Sequence, residues 1–148
     1  MATQDGHVII AGFGPIGRVL ADSLRALGTP FTVIEMNGAT VRTQQSLGCA
    51  IIEGDASLPG VLEKAGIREA SALAITLRDS AAAVRVCQVA RSMRPAGELT
   101  IAIRTRHLSE SFEAKRQGAD IAVVEEIETA KAMASVVAEA VKCDTAAH

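Results

Sequence analysis

A glycine-rich turn near the amino terminus constrains this chain more than any other feature of its sequence. Gly12, Gly14 and Gly17 follow the apolar run HVIIA at residues 7–11 and precede a stretch with helical hydrophobic spacing. In such a strand–turn–helix unit, the first glycine permits the tight turn and the second lets a phosphate approach the backbone. The third lets the helix pack against the strand. The spacing therefore predicts a parallel α/β sheet in which the positive end of a helix faces a phosphate.

Short strand-like runs alternate with helical runs along the whole chain. The apolar runs predict strands at residues 7–11, 31–35, 50–53, 71–76, 99–104 and 121–124. Helical spacing predicts helices at residues 16–27, 40–47, 57–65, 80–94, 107–117 and 125–142. We expect Ser57 to cap the third helix, Gly66 to follow it, and Asp79 or Ser80 to cap the fourth. This alternation predicts an α/β, Rossmann-like, doubly wound six-stranded parallel sheet with a C-terminal helix.

Length and composition narrow the class of protein. The 148 residues predict a single domain (1–148), with a core at about 6–124 and a C-terminal helix at about 125–142. Fifteen basic residues against 17 acidic ones, with only three phenylalanines as aromatics, argue against a nucleic-acid binder. No apolar run reaches the ~20 residues of a membrane span, and the segment before Gly6 is too short for a signal peptide.

The cysteines indicate a reducing compartment. They are three in number, widely spaced and outside any CxxC pattern, at positions Cys49, Cys87 and Cys143. Reduced thiols are the simplest interpretation, and Cys49 is most simply a small buried hydrophobe. We therefore expect a cytoplasmic protein without a metal, without nucleic acid and without direct membrane insertion.

Glu35 ends the second predicted strand, about 20 residues after the glycine turn. A carboxylate at this place accepts hydrogen bonds from both hydroxyls of an adenosine ribose and repels a 2′-phosphate. The sequence thus favours an unphosphorylated ribose. The alternative is a solvated strand-end glutamate beside a purely structural glycine turn.

Other polar side chains follow later strands at the same predicted edge of the sheet, where ligands of open α/β sheets bind. Asp55 is placed to meet an adenine amine, or else acts as a turn or capping carboxylate. Thr76, Arg78 and Asp79 leave the fourth strand at this edge. Arg104 ends the fifth strand, where its guanidinium reaches a phosphate or a partner carboxylate, or else forms an ordinary surface ion pair.

Several segments together resemble a known family. They are HVIIAGFGPIGRVLADSLRALG, FTVIEMN, and IIEGDAS followed by VLEKAGI. In this order they resemble the regulator-of-potassium-conductance N-terminal (RCK N) domain, also called the TrkA-N domain, over about residues 6–124. The chain is most similar to the cytosolic domain of Kef-type cation/proton antiporters, whose pattern also reads GPxGR and VIExN. Its tail, EEIETAKAMA, resembles the Kef crossover helix that follows the sixth strand and pairs two domains.

The resemblance implies a cytoplasmic regulatory module at the inner face of a membrane. Such a module binds NAD(H), AMP, ADP or ATP, forms a homodimer or a higher assembly, and transmits occupancy to a potassium channel or antiporter. Matched by position, the glycines form the phosphate turn, Glu35 is the ribose acid, Asp55 and Ala56 form the adenine-side turn, and Thr76 and Asp79 belong to the loop after strand four. With their neighbours, the candidate contacts are Gly12, Phe13, Gly14, Pro15, Ile16, Gly17, Glu35, Met36, Asp55, Ala56, Thr76, Arg78, Asp79 and Arg104.

Two positions depart from the family pattern. Many members carry a basic residue between the second and third glycines, where this chain has Pro15 and so lacks that phosphate clamp. The loop after strand four is often more acidic, whereas Leu77 and Arg78 stand here. Both departures leave the preferred nucleotide open.

Catalysis is not predicted. No second domain holds a substrate over a nicotinamide, and His7, His107 and His148 stand where structural or solvated roles are expected. The first hypothesis is a nucleotide-sensing regulatory module. The alternatives are a small NAD-dependent oxidoreductase or redox sensor with a dimer-completed pocket, and an interaction scaffold that uses only the last helix.

The last helix has few bulky residues and many alanines, and its apolar residues form one stripe, at positions 127, 130, 133, 134, 137 and 141. The stripe suits close packing across a dimer, or else packing on the chain's own sheet. Because no membrane helices precede the domain, the sequence describes either a separate subunit or a piece of a longer transporter.

Overall fold

Six strands form one all-parallel sheet in the computed structural model, which describes residues 6–146. They are β1 (His7–Ala11), β2 (Phe31–Glu35), β3 (Ile51–Glu53), β4 (Ala70–Ile75), β5 (Thr100–Thr105) and β6 (Ile121–Val124). Their order across the sheet is β3-β2-β1-β4-β5-β6, and each neighbouring pair is parallel. The chain winds outward from β1 to β3, then returns to β4 and winds the other way. The predicted doubly wound sheet is confirmed. Residues 1–5 and 147–148, and with them His148 of the sequence analysis, lie outside the described residues.

The helices lie between the strands, within a few residues of the predicted bounds. They are α1 (Pro15–Leu27), α2 (Gly38–Ser46), α3 (Pro59–Lys64), α4 (Ser80–Met93), α5 (Leu108–Arg116) and α6 (Glu125–Ala146). The expected cap of α4 is confirmed, because the Asp79 carboxylate accepts the N–H of Ala82 at 3.0 Å. No helix in the described part of the chain is long and apolar enough to cross a bilayer.

The prediction of Ser57 as the N-cap of α3 is wrong. The helix begins at Pro59, whose fixed φ suits a first helical position, and Leu58 precedes it without a side-chain cap. Ser57 instead donates its N–H and its hydroxyl to the Asp55 carboxylate, at 2.9 and 2.7 Å. Gly66 follows the helix as predicted, with φ +89°.

Two apolar layers cover the sheet, because alternate residues of each strand point to opposite faces. On one face Ile10 and Val33 pack against α1 and α2, in a cluster with Ala21 and Val41. On the other face the core side chains of β1, β4 and β5 pack against α3, α4 and α5.

The first face is covered only in part. Beside α1, side chains of β4, β5 and β6 remain accessible along a groove of about 790 Å³. After its first turn α6 leaves the sheet, and its side chains from residue 128 to residue 145 are exposed. The alternative that α6 packs on its own sheet is therefore wrong for this chain, since the helix starts directly after β6 and only its first residues, Glu125, Glu128 and Thr129, line this groove.

Candidate functional site

The fold itself requires glycine at two of the three glycine positions of the turn, and not at the third. Gly12 has φ +110°, and a Cβ there would lie 2.8 Å from the Thr76 hydroxyl oxygen. A Cβ on Gly17 would lie 2.1 Å from the carbonyl oxygen of Gly12, so α1 and the turn touch at this point. Gly14 has an ordinary φ of −79°, and a Cβ there would meet nothing within 4 Å. The chain's own packing thus explains Gly12 and Gly17 and leaves Gly14 facing open space.

The start of α1 presents unpaired donors beside Gly14. Pro15 occupies the first helical position and has no N–H, while the N–H groups of Ile16 and Gly17 belong to the first turn. Neither group donates to an acceptor within residues 6–146. An anion placed against Gly14 would meet these donors at the positive end of the helix.

Glu35 joins the glycine turn to the start of α2. Its Oε1 accepts the N–H of Phe13 at 3.0 Å, and its Oε2 accepts the N–H of Asn37 at 2.7 Å. Each carboxylate oxygen keeps a further lone pair for another donor. The ring of Phe13 is buried in the core, so only the backbone of this candidate reaches the turn.

A crevice of about 380 Å³ opens beside Glu35 at the carboxyl ends of β1, β2, β3 and β4. It brings together candidates from four different loops, and Met36 lines it as an exposed side chain. The lining residues are Gly12, Ile34, Glu35, Met36, Gly54, Asp55, Ala56, Leu77, Arg78, Asp79, Ala82 and Arg85. The backbone N–H of Ser57, and then its hydroxyl, hold the pKa of Asp55 below its ordinary value. Asp55 is thus a turn carboxylate that also faces the crevice.

A second, smaller cleft of about 110 Å³ lies on the other side of the glycine turn. It is lined by Gly14, Pro15, Ile16, Thr76, Arg78 and Arg104. The Thr76 hydroxyl lies 3.1 Å from the carbonyl oxygen of Ala11 and 3.0 Å from that of Gly12, so this candidate supports the turn.

Arg104 reaches this cleft from β5 and is mostly buried. Its Nη2 lies 2.9 Å from Oε2 of Glu125, and its Nη1 lies 3.3 Å from the carbonyl oxygen of Thr76. Of the partners considered from sequence, the structure therefore selects a carboxylate of the same chain. The phosphate remains a prediction.

A family model matches most of the chain. The TrkA-N domain model covers residues 8–125. The chain belongs to the TrkA-N domain family. The resemblance inferred from the motifs is confirmed. The TrkA-N match includes residues of all six strands, leaving out only His7 of β1, and ends at the first residue of α6.

Named relatives of this TrkA-N domain are much longer proteins. The chain is 30% identical over 129 residues to a protein of Alkalimonas amylolytica named as the K(+) efflux antiporter KefB, covering 87% of this chain and 19% of that protein. It is 31% identical over 136 residues to the chloroplastic K(+) efflux antiporter 3 of Arabidopsis thaliana, covering 86% and 17%. The chain therefore spans less than a fifth of the length of these relatives.

Solved structures share the fold. The TrkA-N domain of the inner membrane protein ybaL from Escherichia coli superposes with a TM-score of 0.84 at 24% identity, covering 91% of this chain and 98% of that one. The GsuK RCK domain gives 0.72 at 25% identity, covering 84% and 26%. The Shewanella denitrificans Kef C-terminal domain in its AMP-bound form gives 0.73 at 25% identity, covering 84% and 74%.

Two residues of this TrkA-N domain escaped the sequence analysis. Arg85 lies in the second turn of α4 and lines the larger crevice, seven residues beyond the loop position Arg78. Glu125 pairs with Arg104 although 20 residues separate them. The signal for Arg85 was its place in the first two turns of the helix that follows β4, at the edge of the sheet where the candidates lie. The Glu125 pair has no such signal, because it depends on where the end of β6 places the start of α6.

Proposed function

We propose that this TrkA-N domain senses an adenine nucleotide and regulates a potassium channel or a Kef-type cation/proton antiporter. The names of its relatives support the transport partner. A cytoplasmic position at the inner face of a membrane is part of this proposal. The AMP-bound Kef neighbour supports the class of ligand. Since the chain spans less than a fifth of those relatives, it serves as one regulatory part of a transport system.

Gly14 is the observation that carries the nucleotide proposal. Its φ is open to any residue and a Cβ would meet no atom of the chain, so folding does not require glycine there. A ligand lying on the turn supplies the missing reason, because a methyl group would stand where its phosphate approaches the Ile16 N–H.

The proposed ligand crosses the sheet edge from β2 towards β5. Its adenine lies in the larger crevice near Met36 and Asp55, its ribose hydroxyls donate to Glu35, and its first phosphate lies against Gly14. Arg78 and Arg104 supply positive charge from the far wall of the smaller cleft. They stand in for the basic side chain that Pro15 cannot provide.

The histidines favour regulation over catalysis. The imidazole of His7 contacts the Thr32 hydroxyl at 3.2 Å, at the opposite edge of the sheet from the crevice. His107 occupies the N-cap position of α5, and its Nδ1 lies 3.2 Å from the Glu126 carboxylate. Neither ring lines either cleft in the described part of the chain, so we assign no proton-transfer role.

The domain acts as a homodimer in this proposal. Exposed α6 side chains such as Met133, Val137 and Val141 match the uncovered groove beside α1, where Ala74 and Ala102 leave room for a helix. Burying both surfaces against a second copy would remove them from water. Nucleotide then shifts the balance between two dimer geometries by its differential affinity for them.

A thermal-shift panel tests the proposal with AMP, ADP, ATP, NAD, NADH and NADPH. A ligand at about 100 times its Kd stabilises the wild type by ~2.7 kcal/mol, which is several degrees for a chain of this size. Gly14→Ala keeps the unliganded Tm and loses the ligand shift. Gly60→Ala, a second glycine whose Cβ would meet nothing within 4 Å, keeps both.

Each other outcome overturns a stated part of the proposal. If no nucleotide of the panel raises the Tm of the wild type, the crevice binds none of them, and the interaction scaffold replaces the nucleotide sensor as the proposed function. A full ligand shift in Gly14→Ala removes the role given to Gly14. A larger shift with NADPH than with NADH contradicts the ribose contact of Glu35.

A further inference from the structure

Three arginines of this domain are buried to the same degree but differ in how many hydrogen bonds their guanidinium groups make. Side-chain exposure is 15% for each of Arg91, Arg94 and Arg104. The Arg91 guanidinium makes five hydrogen bonds and that of Arg94 makes four. Arg104 makes one, to the carbonyl oxygen of Thr76 at 3.3 Å.

The ion pair with Glu125 does not make up this deficit. Nη2 of Arg104 lies 2.9 Å from Oε2 of Glu125, yet that oxygen is buried without a hydrogen bond. Nε of Arg104 is also buried with no acceptor. Since a buried donor without an acceptor destabilises the structure, a second anion at Arg104 would be stabilised by unused donors.

The smaller cleft is where such an anion would lie. Arg104 lines it opposite Gly14 and Ile16, and its volume of about 110 Å³ admits a phosphate group. Glu35 and Arg104 end strands that are three neighbours apart in the sheet, a separation of about 14 Å at ~4.8 Å per strand. A nucleotide whose ribose lies at Glu35 therefore reaches Arg104 with a second or third phosphate, and a monophosphate stops at the glycine turn.

Glu125 ties the same arginine to α6. It is the first residue of that helix and follows β6 with no intervening loop. Glu126 and Ile127 also hold this turn: Oε1 of Glu126 accepts the N–H of Leu108 at 2.8 Å, and the half-buried Ile127 lies beside Leu108 and Phe112 of α5. Because α6 is exposed from residue 128 to residue 145, these contacts at its first turn set its direction.

We propose that Arg104 exchanges Glu125 for the second phosphate of a bound nucleotide. The number of phosphates on the nucleotide then determines whether Arg104 still holds the first turn of α6. The inference rests on the proposed function. Glu125 competes with the phosphate for one guanidinium, so diphosphates and dinucleotides loosen the first turn of α6 and AMP leaves it in place. By linkage, loosening that turn tightens diphosphate binding.

Titration calorimetry with AMP and ADP tests the competition. Glu125→Gln removes the competing charge, so ADP binds about fivefold tighter or more, while the affinity for AMP is unchanged. Arg104→Gln weakens ADP about tenfold, a larger factor than for AMP, whose one phosphate lies at the glycine turn. Glu128→Gln, which removes the same charge one turn further along α6, changes neither affinity. Arg104→Lys replaces Arg104→Gln if the latter fails to fold.

Amide hydrogen exchange in the first turn of α6 reads the attachment directly. ADP speeds exchange at residues 129–131 of the wild type, whose N–H groups donate to the carbonyls of the first turn, and AMP does not, while Glu125→Gln exchanges fast without ligand. The inference is overturned if ADP binds the wild type and Glu125→Gln with equal affinity, or if ADP has no effect on exchange. In either case, AMP binding to the wild type would still support the proposed function. A wild type that binds neither nucleotide refutes the proposed function itself.

Discussion

Removing the guanidinium of Arg91 is expected to destabilise this domain more than removing any exposed arginine. Arg91 lies on α4 and spans three segments of the chain. It donates to the carbonyl oxygens of Gly118 at 2.8 and 3.0 Å, Leu99 at 3.0 Å and Arg94 at 3.2 Å. Its Nη2 also lies 2.7 Å from the Asp120 carboxylate.

The magnitude follows from what Arg91→Met leaves behind. Three carbonyl oxygens lose a charged donor at a mostly buried place, at about 1 kcal/mol each. The pair with Asp120 is more than one-third exposed on the carboxylate side and adds at most ~1 kcal/mol. The expected loss is therefore about 3–4 kcal/mol, or a fall in Tm of roughly 10 °C for a chain of this length.

Urea unfolding followed by circular dichroism measures this loss as a lower midpoint at unchanged slope. Arg91→Lys keeps the charge but not the planar fork, so its midpoint falls between those of the wild type and Arg91→Met. Arg116→Met, which removes an exposed partner of Glu113, leaves the midpoint unchanged. If Arg91→Met and Arg116→Met unfold at the same urea concentration, the bonds to the buried carbonyls do not stabilise the fold as argued.

Two further predictions concern acid stability and assembly. The Ser80 hydroxyl, followed by the backbone N–H groups of His107 and Arg106, holds the pKa of Glu110 below its ordinary value. The ionised Glu110 carboxylate therefore stabilises the folded state fully above the ordinary glutamate pKa of about 4.3. This stabilisation is lost as the pH falls through the lower pKa that Glu110 has in the folded state. Glu110→Gln is thus less stable than the wild type at neutral pH, and their urea midpoints converge in acid; midpoints that stay a constant distance apart would contradict this. In sedimentation velocity, Val137→Lys shifts the domain from dimer to monomer while Ser135→Lys, on the opposite side of α6, does not. A monomeric wild type, or a dimeric Val137→Lys, rules out the proposed α6 interface.

The sequence by itself determined the order of elements and the general place of the candidate site. Strand and helix periodicities are local properties of the chain, so six strands and six helices were readable from neighbouring residues alone. The same holds for Gly12 and Asp79, whose conformation and capping contacts arise within a few residues. Parallel strands also end at one edge, so the candidates at strand ends had to converge there.

Only the tertiary structure decided which partner each polar group finds. Arg104 and Glu125 meet because β5 and β6 are paired, and Arg91 finds four acceptors from three separate segments. The residue type of Ser57 predicts a helix cap, but the Asp55 carboxylate lies close enough to accept its N–H and its hydroxyl instead. The uncovered half of the sheet and the exposed length of α6 follow from the direction in which β6 ends. No local pattern contains that direction, because it is set by the packing of the whole sheet.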